Sequence, residues 1–397
     1  MVTARLPRLV AVLALASSGF SAAPVVAAAA ATTAVIVEAH NTAAAARAVE
    51  AVGGTVDRSL DVVSAVAAHV SNDALQLLHT TADVIVVPDA TMHPTGLSFD
   101  ASAVDNDVAA MHPGADWGPD AGAGVGVALI DTGVADTPGL TGRLVRSPDF
   151  SDETDGLDHY GHGTFMAGLI AGDGTGSSGS LHTGSAPGAT VVSVKVAGAD
   201  GTTTLSRVIA GIGWAISHAD TYNIGVMNLS FGVDDVMPYI VNPLSAAVEA
   251  AWSSGITVVA SAGNDGSDGV TSPGSDPYVI TVGASATNGT TSTADDAMTS
   301  WTGRQDYRLY SKPDVVAPGV SVVSLRAPGS TIDIAHPEGR VDANYFRGSG
   351  TSMSTALVAG SAAILLSHHP DATPDDIKGA LLAGADTLAD GSHAVNI

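Results

Sequence analysis

Four short stretches of this 397-residue chain carry side chains that could do chemistry together. Asp131 closes the apolar run Val127-Ala128-Leu129-Ile130 and precedes Thr132-Gly133, which puts a carboxylate at a strand end. His162 lies between Gly161 and Gly163, ahead of a helical pattern over Thr164–Ala171, so its imidazole can face a cleft with little steric cover. Ser352 follows Gly350-Thr351 and precedes an apolar helix from about Thr355 to Leu366. Asn264 stands in Ser261-Ala262-Gly263-Asn264-Asp265-Gly266, directly after a β-branched run. Singly, each has a plainer use. An aspartate at a strand end or an asparagine between glycines is ordinarily a turn former. A serine at a helix start is ordinarily an N-cap, and one histidine among 13 is ordinarily structural.

Together they describe a nucleophilic hydrolase. A serine hydroxyl needs a base, the base needs an orienting carboxylate, and the oxyanion that forms needs donors. The helix after Ser352 would direct N–H groups and its positive dipole end at that oxyanion. The Asn264 amide would be a second, preorganised donor. His159, three positions before His162, raises a metal pair instead. The helical pattern starts after His162, however, and no carboxylate completes a zincin-type spacing.

The elements that must position these groups alternate. β-branched runs at Val125–Ile130, Thr190–Val196, Val226–Leu229, Ile256–Ala260 and Val279–Val282 have helical patterns between or after them, at Thr164–Ala171, Thr204–His218 and Leu244–Ser253. That alternation predicts an α/β fold with a largely parallel sheet covered on both faces, its active groups at the C-terminal strand ends. Residues 33–92 form a separate block. Strands at Ala34–Glu38, around Val56, at Val62–Val70 and at Val84–Val87 frame helices at Thr42–Val52 and Asn72–Leu78, the second capped by Ser71. The order β-α-β-β-α-β is ferredoxin-like. A polar stretch at 93–122 reads as a linker to a catalytic domain over 123–397.

Composition narrows the setting. Apolar residues make up 45% of the chain and charged residues 14%, a globular balance. Forty acidic against 15 basic residues give a formal charge of -25, which repels phosphate backbones and argues against nucleic acid as a partner. The acidic excess leaves room for structural calcium without locating a site. With no cysteine there is no disulfide, thiol nucleophile or thiolate metal site. Arg5 and Arg8, the apolar stretch from Leu9 to about Ala16, and small residues through Ala31 form a signal peptide over 1–31. The apolar part is too short for a membrane span, and Pro24 breaks the small-residue stretch beyond it. The mature protein is expected to be secreted, extracellular, unanchored and monomeric.

At the level of motifs the chain resembles the subtilisin family, the subtilases. Ala128-Leu129-Ile130-Asp131-Thr132-Gly133-Val134 matches the aspartate motif. Gly161-His162-Gly163-Thr164 with Ala167-Gly168 matches the histidine motif, and Gly350-Thr351-Ser352-Met353 with Val358-Ala359-Gly360 the serine motif. The likeness runs from about Val125 to the C-terminus in the subtilisin order Asp, His, Ser. It implies a three-layer fold on a mostly parallel seven-stranded sheet, preceded by a small ferredoxin-like propeptide that inhibits the enzyme until the zymogen processes itself. It also implies Asp131, His162 and Ser352 as catalytic residues, and an oxyanion hole shared by Asn264 and the Ser352 backbone N–H. Two segments, Ser230-Phe231-Gly232 and Ala262-Gly263, would pair with substrate backbone and wall the primary specificity pocket. Asp158 falls where the family often has an aspartate near the substrate groove. Substrates would be proteins or peptides, cleaved after apolar or aromatic residues, with no cofactor needed for the chemistry.

There are departures. Phe165 stands where histidine is common. Ala356 stands where proline is usual, which implies altered acylation kinetics. Asp173-Gly174-Thr175-Gly176-Ser177-Ser178 replaces an Asn-rich calcium loop, and the chain stops at Ile397, where many relatives continue into a last helix. The alternative is a catalytically inactive subtilase fold acting as a binding or inhibitory protein. A sedolisin-type peptidase would need glutamate in place of His162.

Overall fold

The computed structural model describes residues 31–95, 111, 117–177, 182–233, 237–266 and 269–397. The leader, most of the linker and Ser178 of the replaced calcium loop lie outside them.

Residues 32–88 build a four-stranded antiparallel sheet from β1 (Thr32–Glu38), β2 (Thr55–Leu60), β3 (Ala65–Ser71) and β4 (Ile85–Pro88), in the order β2-β3-β1-β4. Helices α1 (Thr42–Ala51) and α2 (Asn72–His79) complete the β-α-β-β-α-β sequence. Asn41 and Ser71 cap them, accepting the N–H groups of Ala44 at 2.9 Å and Ala74 at 3.2 Å. Alternation along the strands divides the burial. Val35, Val37, Val66, Ala68 and Val70 pack with Ala45, Val49, Ala74 and Leu78. Ile36, Ala65 and Ala67 point to the other face and join the core of the larger unit.

The larger unit is built on a ten-stranded sheet. Eight of its strands run parallel: in spatial order β7 (Leu144–Arg146), β8 (Thr190–Lys195), β6 (Gly126–Asp131), β10 (Ile224–Leu229), β12 (Thr257–Ser261), β13 (Ile280–Ala286) and β14 (Val315–Pro318), then the two-residue strand His393–Ala394, one more than the seven expected. Their near-continuous Val, Ile and Ala runs suit strands buried on both faces. Helix α3 (His162–Ala171) packs on α6 (Thr351–His368), which also lies along β10, β12 and β13. A second pair, α4 (Leu205–Ser217) and α5 (Pro243–Ser253), pack on each other and meet the small unit's 61–63 turn. The small unit also grips α4 by its start. The Asp89 carboxylate accepts the Ser206 N–H at 2.8 Å and the Ser206 hydroxyl at 2.7 Å, a negative charge at a helix N-terminus.

Two expected helix starts move. α3 begins at His162 itself, with Gly161 as its cap at φ 112, a left-handed conformation that glycine adopts without strain. α6 begins at Thr351, so Ser352 lies inside the first turn and the buried Ala356 in the second. A regular helix there pairs the Ala356 N–H with the Ser352 carbonyl, a bond that proline would remove.

The strand that leaves the small unit is the fold's unexpected element. β5 (Thr91–Pro94) runs antiparallel between β9 (Thr203–Thr204) and β11 (Phe231–Gly232), pairing Met92 with Thr203 and Pro94 with Phe231. The boundary expected after Met92 falls inside this strand.

Candidate active site

Asp131 is the last residue of β6, and the β6–β8 register sets it beside Lys195. Its carboxylate is fully buried and faces the start of α3, where the His162 Nδ1–H donates to Oδ1 at 2.8 Å and lies 3.0 Å from Oδ2. The Thr132 N–H also donates to Oδ1, at 2.8 Å. That arrangement fixes the tautomer in which Nε2 is the free lone pair. Close approach is what the glycine after His162 provides, because a Cβ on Gly163 would lie 2.1 Å from the Gly133 carbonyl oxygen. His162 Nε2 is buried without a hydrogen-bond partner, and the Phe231 ring stands 6.3 Å from the imidazole, edge to face.

Asp158 holds the start of α3 in place. It is buried and caps α3 from within. Its Oδ1 accepts the N–H groups of Gly161 at 2.7 Å and Tyr160 at 3.1 Å, while Oδ2 accepts the Thr164 N–H at 2.8 Å. The Thr132 hydroxyl donates to Oδ1 at 2.8 Å and accepts the Gly163 N–H at 2.9 Å. Burial pushes the Asp158 carboxyl above the usual carboxylate range, against the pull of these bonds. Asp158 therefore ties the Asp131 turn to the His162 helix. Lys195 supports the same turn, donating to the carbonyls of Thr132 at 2.9 Å and Leu157 at 2.6 Å.

Ser352 is carried by α6, whose first-turn N–H groups have no acceptor within the helix. Asn264 follows β12, and its orientation is fixed by its own acceptor. Asn264 Oδ1 takes both the Thr351 N–H and the Thr351 hydroxyl, each at 3.0 Å, which leaves the NH₂ group facing outward. That group donates to the carbonyl oxygen of Thr95.

Thr95 directly follows β5, and no feature of its local sequence marks it out. Its N–H donates to the Ser230 carbonyl at 3.0 Å. Its hydroxyl lies 2.6 Å from Ser352 Oγ and 2.9 Å from Ser261 Oγ. The Ser352 hydroxyl is in turn 3.2 Å from the Thr95 carbonyl oxygen. An extended strand thus crosses the site with its carbonyl between a hydroxyl nucleophile and an amide donor. Phe231 pairs with Pro94 and Gly232 with His93, and the Ser230 carbonyl accepts the Thr95 N–H. β9 pairs with the other edge of β5, while Ala262 and Gly263 lie next to Thr271.

Ligand atoms of Glu153, Asp155 and His159 come within 4.8 Å of one another. This set suits calcium poorly. It offers an imidazole where calcium takes oxygens, and Lys195 Nζ already lies 2.8 Å from Glu153 Oε2. Phe165 is buried in the core, where an apolar ring packs without needing a partner.

Comparison with known proteins agrees with this geometry. The model of the subtilase family matches residues 122–396. Serine protease AprX of Bacillus subtilis (strain 168) is 42% identical over 292 residues, 69% of this chain and 65% of that protein. Subtilisin E of the same strain is 35% identical over 342 residues, 85% of this chain and 79% of its own length. A crystal structure of fervidolysin from Fervidobacterium pennivorans, 24% identical, matches the fold with a TM-score of 0.71 over 90% of this chain and 58% of that one. A cold-adapted subtilisin-like serine proteinase matches at 29% identity and a TM-score of 0.56, over 71% of this chain and 98% of its own. With a buried Asp–His pair at strand and helix ends, a serine in a helix first turn and a family match across most of the chain, this protein belongs to the subtilase family of serine endopeptidases.

Proposed function

We propose that the chain is made as a secreted, self-processing zymogen whose triad is Asp131, His162 and Ser352, and whose first substrate is its own Thr95–Gly96 bond. The observation that carries this reading is β5 lying across the site as a substrate would, with the Thr95 carbonyl oxygen on the Asn264 amide. Ser352 Oγ attacks the Thr95 carbonyl carbon while its proton passes to His162 Nε2, and Asp131 stabilises the imidazolium. The carbonyl oxygen takes the negative charge, held by Asn264 and the Ser352 N–H. The bond to the Gly96 nitrogen then breaks, His162 returns the proton to that amine, and water hydrolyses the acyl-enzyme by the same steps. Residues 32–95 would remain bound as an inhibitor, through the β5 pairings and the Asp89 cap on α4. None of these steps needs a metal or cofactor.

The leader with Arg5 and Arg8 supports export. No helix among the described residues is long and apolar enough to cross a membrane. AprX is a serine protease by name and the cold-adapted relative a serine proteinase, which supports protein or peptide substrates here too. The test is Ser352→Ala. The wild-type chain is expected to give a mature N-terminus at Gly96 and the variant to stay whole. Cleavage of the variant at the same bond would show that another protease does the processing.

A further inference from the structure

The slot that holds the Thr95 side chain is short, and one residue makes it so. This inference rests on reading Thr95 as the residue before the scissile bond, and goes on to the side chains the enzyme accepts there. Gly232 and Gly263 stand on the two sides of the slot, and Thr271 fills the space between them. A Cβ on Gly232 would lie 2.7 Å from Thr271 Oγ1 and 3.1 Å from Thr95 Cγ2. A Cβ on Gly263 would lie 2.8 Å from Thr271 Cγ2. The methyl of Thr95 and the side chain of Thr271 therefore share one narrow space, and a longer side chain at position 95 would run into Thr271.

Thr271 is not free to step aside. Its N–H donates to the Ala262 carbonyl at 3.2 Å, and the next residue, Ser272, exchanges backbone bonds with Val233 at 3.2 and 3.3 Å. Its hydroxyl oxygen is buried with no hydrogen-bond partner. A polar atom without a bond costs stability, so this side chain does nothing for the fold that valine or alanine would not do better. What it does supply is bulk at the end of the slot. On its other side a cleft of about 950 Å³ opens, lined by Met237, Val270, Thr271, Tyr307, Leu309 and Tyr310. Room for a large side chain, walled by a mixture of apolar and polar residues (Asp265, Gln305 and Arg308 among them), therefore exists nearby, beyond Thr271.

We propose that Thr271 is the specificity-determining residue of this enzyme, restricting the position before the scissile bond to small side chains such as Thr, Val, Ser and Ala. That departs from the apolar or aromatic preference which the family resemblance implies. The test uses the mature enzyme, its active sites counted by labelling with a serine-directed phosphonate, on a peptide series that differs only at this position. Wild type is expected to cleave after Thr or Val with kcat/KM at least about 10-fold above Phe and Leu, the lower end of what pocket size delivers. Thr271→Gly should raise cleavage after Phe about 10-fold or more. Thr271→Val, equal in shape, should leave the profile as it is while raising the melting temperature. If Thr271→Gly fails to fold, Thr271→Ala serves in its place with a smaller shift in the same direction. A wild-type preference for Phe or Leu overturns the proposal, as does a Thr-to-Phe ratio unmoved by shortening residue 271. Absence of phosphonate labelling, by contrast, would overturn the catalytic reading itself.

Discussion

Asn264→Ala removes one amide with its outward donor and its two bonds from Thr351, so its effect can be worked from the geometry. The side chain is half-buried and touches the site through a single outward donor, the NH₂ group on the Thr95 carbonyl oxygen. Its acceptor end is held by two bonds from Thr351, so the donor is in place before substrate arrives and no reorganisation is spent on it. Such a donor strengthens as the carbonyl becomes an oxyanion. Its loss is expected to lower kcat by about 10²–10³, equivalent to about 2.7–4 kcal/mol, with KM little changed. The same group serves the first turnover and all later ones. The rate of self-processing, followed by gel from synthesis of the precursor, should therefore fall by the same factor as kcat on a peptide. Thr351→Val keeps the N–H anchor and loses only the hydroxyl, so its loss should be smaller, about the 2–13-fold that one hydrogen bond supplies. Asn264 has no catalytic role if the Ala variant retains kcat within about threefold of wild type, or if the whole loss falls in KM.

Two further outcomes rest on bonds around the site. Thr95→Val keeps the shape of the residue but removes the hydroxyl that lies 2.6 Å from Ser352 Oγ, so Ser352 is released to His162 and processing is expected to speed up by about 2–13-fold; slower processing would show that the hydroxyl helps. Burial pushes the Asp333 carboxyl up, but bonds from Arg326, the Gly329 N–H and Arg340 outweigh it and hold the group well below the usual carboxylate range. A depressed folded-state value means stability that is complete above the ordinary carboxylate value of about 3.8 and lost as pH falls below it. Thermal melts of Asp333→Asn should therefore lie below wild type at neutral pH and converge on it under strong acid; a constant gap would assign the loss to packing alone.

The parallel sheet is legible in the sequence because its strands are long β-branched runs that must be buried on both faces, and the small unit because its strand and helix patterns alternate and Ser71 stands where a cap belongs. The short strand Leu144–Arg146 is not, since three half-buried residues carry no period. The start of α3 reads two residues late because Gly161 and Gly163 look like loop. Their actual use, a left-handed cap and a close approach to the Gly133 carbonyl, depends on a segment 30 residues away. The four polar residues of the site are readable from type and order. Asp158 is readable as an aspartate of interest but its use as a cap is not, because its five hydrogen bonds come from four residues, Thr132, Tyr160, Gly161 and Thr164, that only the fold brings together.

Thr95 and Thr271 mark the limit more sharply. Each is an ordinary threonine in a polar stretch, and each gains its meaning from what two glycines leave open. Gly232 and Gly263 are legible as backbone that lets something approach, but a glycine does not say what approaches. In the proposed reading one threonine belongs to the segment to be cut and the other to the enzyme, and the two share the same slot. Local sequence records the walls of such a pocket, while its depth is set by a residue that only the turn after Val270 brings across. A single substitution at 271 should therefore redirect cleavage while leaving Asp131, His162 and Ser352 as they are.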